Sequence, residues 1–367
     1  MMTEEPSPVQ SDETSGSPAE TESGESPDQG TNNGSTGTGT AVIPYDPGVF
    51  TDPERVQMTF VGDILLGSTV ESLLASNGYD YPYKQVLSYL QRPDLTIADL
   101  ETSITTGGTK QVKEYVFRSS PLVLPAFQAA GFDLVNLANN HSMDYGPDGL
   151  LDTFTHLEKQ GIPYVGAGRN TEEAFSPVIL EKKGMKIAFL GFTRVIPEQS
   201  WKAGVSSPGL ADTYNYTVPV EAIQKAAKQA DLVVVISHWG VERNDLPEAY
   251  QKDLAKRYID AGADLIVASH PHVLQGFESY KGKWIAYSLG NFIFTTNNIP
   301  KTWDSMILEA SCTKDGDCAL NAVPVLTKAA QPKVMLPEAA TQLFHRLSVA
   351  SFGVKLLDNG QIVRMVK

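Results

Sequence analysis

The stretch DLIVASHPHV, residues 264–273, runs through four apolar residues and a serine into two histidines, His270 and His272. A short β-branched run of this kind, bounded by Asp and Pro, reads as a buried strand. Two other stretches end in the same way: DLVVVISH, residues 231–238, closes on His238, and DLVNLANNH, residues 133–141, closes on Asn140 and His141. Four of the six histidines thus come after apolar runs, while His156 and His345 stand in helix-like surroundings and look incidental. In an α/β sheet the carboxyl ends of parallel strands line the crevice where ligands bind. Imidazoles repeated at that position point to one shared metal or catalytic site on an α/β fold.

Working outward, the pattern alternates strand and helix from residue 56. VQMTFVGDI predicts a first strand, STVESLLASNG a helix, DLTIADLE a second strand, PLVLPAFQAAG a helix and DLVNLANN a third strand. GLLDTFTHLEKQG predicts another helix, IPYVGAG a short strand, and VILEKKGMKIAFLGFT a hairpin turning at Lys183-Gly184. VEAIQKAAKQA and LPEAYQKDLAKRYIDAG are helices ahead of the two histidine-bearing strands, and KWIAYSLGNFIF and most of the chain after residue 305 read as strand. The result is a mixed α/β layered domain with an added β half, with no internal repeat and no clean boundary after residue 50.

The other strand ends add ligands to the histidines. Gly62-Asp63 ends the first strand, where the glycine lets the backbone turn closely and the carboxylate reaches a metal. Glu101 ends the second strand. With Asn140, His238, His270 and His272 they form a carboxylate, amide and imidazole set suited to two hard or borderline divalent ions, with Mn, Zn or Fe all compatible. Pro271 between the two last histidines stiffens the turn that presents them.

Composition bounds the partners and the compartment. The formal charge is −14, but residues 1–50 hold nine acids and no Lys or Arg, so residues 51–367 carry only −5. There is no basic stripe for nucleic acid, and no stretch reaches the roughly 18 apolar residues of a membrane span. Residues 1–50 are rich in Ser, Thr, Gly, Pro and Glu and are expected to be a solvated tether, with residues 51–367 forming the domain. Such tethers suit extracytoplasmic proteins held at a membrane, where an anchoring segment would come first; the opening MMTEEPSPVQ shows none. Cys312 and Cys318 flank TKDGD, whose Asp315-Gly316 turn would bring the sulfurs together in a disulfide; two free cysteines are the alternative.

Six blocks in order, GDILLG, ADLETSI, NLANNHSMDYG, ISHWGVE, ASHPHVLQG and YSLGNFIF, resemble the CapA/PgsA family of bacterial poly-γ-glutamate capsule biosynthesis proteins, a branch of the calcineurin-like metallophosphoesterase superfamily. The likeness runs from about residue 56 to 296. It implies a four-layer α/β/β/α sandwich with a two-metal centre at the strand ends. Asp63 matches the first-motif aspartate, Glu101 stands where the superfamily has its bridging aspartate, and Asn140, His238, His270 and His272 match later ligands. His141 matches the histidine that acts on the leaving group. Two positions depart from the pattern: Leu65 replaces the imidazole of the superfamily's Asp-x-His, and Glu101 lengthens the bridge.

Around that set stand further candidates. Asp144 would poise His141, or would only cap the turn before Gly146-Pro147. Arg118 would present a fork to phosphate or carboxylate, or would be a surface arginine. Trp239 would floor the pocket or shield the metal, Glu242 and Asn139 would orient ligands, and Asn291 would serve the turn or touch substrate. The resemblance implies two functions. One is a metal-dependent hydrolase acting outside the cell on a phosphoester or on poly-γ-glutamate. The other is a membrane-tethered, non-catalytic accessory of the poly-γ-glutamate synthase complex, which the missing first-motif imidazole favours.

Overall fold

Alternate residues of the strand Val56–Ile64 face two different cores, and that strand lies near the middle of the larger of two sheets. The computed structural model describes residues 50–365 apart from 296, all within one unit, Thr40–Lys367. Residues 1–49 of the expected tether lie outside the described residues.

The first sheet carries a parallel run of Val56–Ile64, Leu95–Leu100, Leu134–Asn136 and Tyr164–Val165. Beyond Val56–Ile64 it continues antiparallel through Asp304–Cys312, Cys318–Lys328, Gln361–Arg364 and Val354–Leu356. The second sheet has its own parallel run, Met185–Thr193, Leu232–His238, Leu265–Ser269 and Lys283–Ala286, flanked by antiparallel Val178–Lys182 and Phe277–Tyr280.

Alternation then makes the layers. Met58, Phe60, Ile97, Phe189, Val234 and Val267 meet in one core between the sheets. Val61, Ala98 and Val135, on the opposite face, pack on Phe127, Leu150 and Phe154 from the helices Leu124–Ala129 and Gly146–Gln160. Val233, Val235 and Ile266 do the same for the second sheet against Ile223, Leu254 and Tyr258 from Thr217–Ala226 and Ala249–Ala261. The architecture is a four-layer α/β/β/α sandwich, with both parallel runs ending at one rim.

Among the differences from the sequence expectation, three concern the strand ends and the late part of the chain. The third strand stops at Asn136, because the Asn136 side chain accepts from the Ala138 amide at 3.1 Å and turns the chain out of the sheet. The single strand expected over 283–294 is two: Lys283–Ala286 belongs to the second sheet and Asn291–Ile293 pairs with Val56–Ile64 in the first. Late in the chain, within the stretch expected to be mostly strand, Pro337–Ala350 is a helix that lays Leu343, Phe344 and Leu347 on the inter-sheet core and leaves His345 exposed. Cys312 and Cys318 lie directly opposite across their antiparallel pair and are joined as a disulfide. No helix among the described residues is long and apolar enough to cross a membrane.

Candidate metal centre

Asp63 owes its orientation to an irregularity. Thr59 and Val61 alternate toward the helices, and regular pleating would send Asp63 the same way. Opposite the second strand, however, Val61 pairs with Ala98 and Asp63 with Asp99, so Gly62 is an extra residue and the faces exchange. Asp63 is thereby placed between the sheets. Only glycine fits at the exchange: the Asp63 amide donates to the Gly290 carbonyl at 3.0 Å, and a Cβ on Gly62 would stand 1.8 Å from that oxygen.

On the neighbouring strand Leu95 and Ile97 point into the inter-sheet core, and the same period carries Asp99 and Glu101 to the rim. Asp99 was missed in the sequence, although its two-residue spacing from Glu101 in IADLE is the signal. Its oxygens are engaged: Oδ1 accepts from Asn136 at 2.9 Å and Asn139 at 3.2 Å, and Oδ2 lies 2.6 Å from His238 Nδ1. Asp99 therefore orients an imidazole. Asn139 ties the same place together, donating to the Leu100 carbonyl at 2.9 Å and accepting from the His141 amide and the Ser142 hydroxyl.

The second sheet delivers the imidazoles. His238 continues the inward series Leu232, Val234, Ile236, and with Nδ1 held by Asp99 it presents Nε2 to Asn140 Oδ1 at 2.6 Å and Glu101 Oε1 at 3.7 Å. His270 has the parity of Ile266 and Ala268, which face the helices, yet its ring lies 4.7 Å from that of His238. Its φ of 102° explains this, since the left-handed backbone ends the strand and swings the ring inward; His272 comes next at φ 57°. Such conformations cost about 1–3 kcal/mol each and gather at functional sites. His272 Nδ1 reaches Asp63 Oδ2 at 3.2 Å and Glu101 Oε2 at 3.9 Å.

Two donor groups result, Asp63 with Glu101 and His272, and Glu101 with His238 and His270. Asn140 joins the second through its contact with His238. A third grouping of Asp63, Asp99 and His238 is geometrically close, but both oxygens of Asp99 already accept hydrogen bonds. The donor atoms are otherwise orphaned: Asp63 Oδ1, both oxygens of Glu101 and His270 Nδ1 are buried with no hydrogen-bond partner. An unpaired buried carboxylate is costly, and so divalent cations fit this set. Burial, then the charges of Asp63 and Asp99, hold the Glu101 carboxyl well above its ordinary range, against the pull of Lys113. Burial and the neighbouring imidazoles hold His270 well below its ordinary value.

Beside the donors lies a polar relay. His141 Nδ1 is 2.7 Å from Asp144 Oδ2, and its Nε2 faces Glu101 Oε1 at 3.8 Å. Lys113 donates to Asp144 Oδ1 at 2.6 Å and to the Asn140 carbonyl at 2.6 Å, and the Phe117 amide donates to Asp144 Oδ2 at 2.6 Å. Asp144 therefore does more than cap a turn. Burial pushes the His141 imidazole down to about 4, outweighing the hydrogen bond to Asp144. Phe117 lies 4.5 Å from the His141 ring and Phe294 lies 4.8 Å from that of His272, ring centroid to ring centroid. Lys113 and Phe117 were invisible in the sequence because they come from an irregular loop with no periodicity.

Other candidates fall elsewhere. Trp239 has the parity of Val233 and Val235, so it sits in the helix-side core with Nε1 donating to the Tyr287 carbonyl at 3.0 Å. Arg118 is exposed, stacked 4.7 Å from the Tyr145 ring centroid. Glu242 is exposed and forms no hydrogen bond to an imidazole among the described residues, though its charge acts on Glu101 and His272. Asn291 is buried, with Oδ1 2.9 Å from His272 Nδ1.

Residues 57–296 match the profile of the bacterial capsule synthesis protein family PGA_cap. The chain belongs to that family. Among its relatives are the capsule biosynthesis protein CapA of Bacillus anthracis, 36% identical over 292 residues that cover 76% of this chain and 69% of the relative. The PGA biosynthesis protein CapA of Bacillus subtilis is 34% identical, covering 77% of this chain and 75% of its own. Among solved structures, a 5'-nucleotidase from Candida albicans aligns over 73% of this chain and 51% of its own at 12% identity and a TM-score of 0.41.

Proposed function

We propose that this family member holds two divalent ions at the rim of its sheets and uses them for metal-dependent hydrolysis in the synthesis or export of poly-γ-glutamate, outside the cytoplasm. The observation that carries this reading is the set of orphaned donor atoms, Asp63 Oδ1, both oxygens of Glu101 and His270 Nδ1, buried without a hydrogen-bond partner on side chains that converge. Asp63, Glu101 and His272 would hold one ion, and Glu101, Asn140, His238 and His270 the other. Bound there, such ions supply Lewis acidity toward a substrate oxygen and lower the pKa of a bound water.

The chain's own groups do the rest. Asp99 holds His238 in one ring orientation. His141, with Nδ1–H given to Asp144, is neutral near pH 7 and offers an Nε2 lone pair to the cleft. It would take the proton that the attacking water gives up and pass it to the leaving oxygen as the substrate bond breaks. Lys113 and the Phe117 amide keep Asp144 in place for this. The phenyl rings of Phe117 and Phe294 limit water beside the two imidazoles. Placement outside the cytoplasm is supported by the Cys312–Cys318 disulfide, since such bonds persist in oxidising compartments.

A second reading has its own observation. Leu65 stands where the superfamily motif carries an imidazole, and a weakened ion site suits a membrane-tethered accessory of the poly-γ-glutamate synthase better than a hydrolase. Assays of the purified protein on p-nitrophenyl phosphoesters and on poly-γ-glutamate, with Mn²⁺ or Zn²⁺ added, separate the two. Turnover abolished by His141→Ala supports the hydrolase. Absence of turnover, with biological activity retained in His141→Ala and lost in Glu101→Ala, replaces it by the accessory.

A further inference from the structure

We propose that Asn291 supplies a side-chain oxygen to the ion held by Asp63, Glu101 and His272, compensating for the imidazole that Leu65 replaces. The inference rests on the two-ion reading and concerns a residue that belongs to no ligand motif. Asn291 arrives through the split of the expected strand 283–294: the chain leaves the second sheet at Ala286, crosses at Gly290, and re-enters beside the first strand with Asn291 paired to Asp63. The Leu65 amide donates to the Ile293 carbonyl at 2.7 Å, so Asn291–Ile293 runs directly along the residues that end the first motif.

The side chain is fixed. Nδ2 donates to the Thr302 carbonyl at 3.2 Å, which assigns the amide and turns Oδ1 toward His272 Nδ1 at 2.9 Å. That same nitrogen lies 3.2 Å from Asp63 Oδ2 and 3.9 Å from Glu101 Oε2. Two acceptor oxygens, Asn291 Oδ1 and Asp63 Oδ2, stand within 3.2 Å of one ring nitrogen, more than a single N–H satisfies well, with a Glu101 oxygen just beyond them. They suit a common ion instead, because adjacent ligands of an octahedral site with bonds of about 2.1 Å stand roughly 3.0 Å apart. The site so completed has three oxygens and one nitrogen and favours a hard cation of the Mn²⁺ or Mg²⁺ class, whereas the position with two imidazoles favours a more borderline ion.

Diffraction from crystals of the full chain grown with Mn²⁺, with anomalous maps, tests this directly. Asn291 Oδ1 is expected within about 2.4 Å of the ion beside Asp63 and His272; an ion there with Oδ1 beyond about 3 Å overturns the inference. In solution, Asn291→Leu should retain one tightly bound Mn²⁺ and bind the second at least tenfold more weakly, while Asn291→Asp, which keeps the oxygen, retains both. Two ions held as tightly by Asn291→Leu as by the unaltered chain would refute it. If Asn291→Leu does not fold, as judged by circular dichroism, the ion distances and Asn291→Asp still decide. An unaltered chain that binds no ion brings down the proposed function as well; two ions with a remote Asn291 bring down this inference alone.

Discussion

Glu101 is the residue on which both donor groups depend, and its position makes the ligands unequal. Glu101→Ala is expected to remove both ions, His272→Ala to weaken one, and His141→Ala to keep both while cutting any hydrolytic rate by roughly 10²–10⁴-fold. Metal analysis of the three variants checks the order; equal loss in all of them contradicts it. Asp99 acts through His238, so Asp99→Asn should lower metal affinity about 10–100-fold without changing the number of sites, as read by titration calorimetry. The raised Glu101 carboxyl sets the pH dependence. In the ion-free fold it holds its proton more tightly than the unfolded chain does, so its contribution to stability is present at low pH and is lost as pH rises through the raised value. A bound ion takes the proton's place. The rise in melting temperature on adding Mn²⁺ should therefore grow as pH rises above the ordinary carboxylate range toward the raised value, and a rise that shrinks with pH would contradict the assignment.

The elements that carry these residues were legible to different degrees. Strands buried on both faces read clearly, because β-branched runs such as LVVVIS and LIVAS have few other uses. What the sequence hid was geometry that breaks the period. Period-two alternation predicts the wrong face for Asp63 and His270. A bulge at Gly62 corrects the first and a left-handed residue corrects the second, and neither leaves a mark in the order of apolar residues. The division of residues 283–294 was hidden for a related reason, since both halves are apolar and only Tyr287, Ser288, Leu289 and Gly290 separate them. Asp99 and Glu101 share one face at the end of the strand, and the sequence alone does not tell which of the two carboxylates is left without hydrogen-bond partners. The bulge carries its own expectation. Gly62→Ala would force a methyl group onto the Gly290 carbonyl, destabilising the fold by about 3 kcal/mol or more, which a shift in the urea midpoint would measure; a loss under about 1 kcal/mol would show that the crossing segment yields.

At the scale of the whole molecule, two sheets end their parallel runs at one rim and each contributes part of the set: carboxylates and an amide from the first, imidazoles from the second. Neither sheet alone has a complete donor group. Such a division explains why histidines separated from Asp63 by much of the chain still read as one group in the sequence, as did the neighbouring His141 and Asp144, while Lys113 and Phe117 did not, coming from a loop whose position only tertiary packing defines. It would also couple bound ions to the sandwich itself, because without them buried carboxylates on one sheet face buried imidazoles on the other. The count of bound ions is accordingly the most direct test. Purified chain, stripped with chelator, loaded with Mn²⁺ and dialysed, should retain two ions per chain by elemental analysis and none in Glu101→Ala; a chain that retains no metal, or retains the same amount when Glu101 is replaced, would contradict the account.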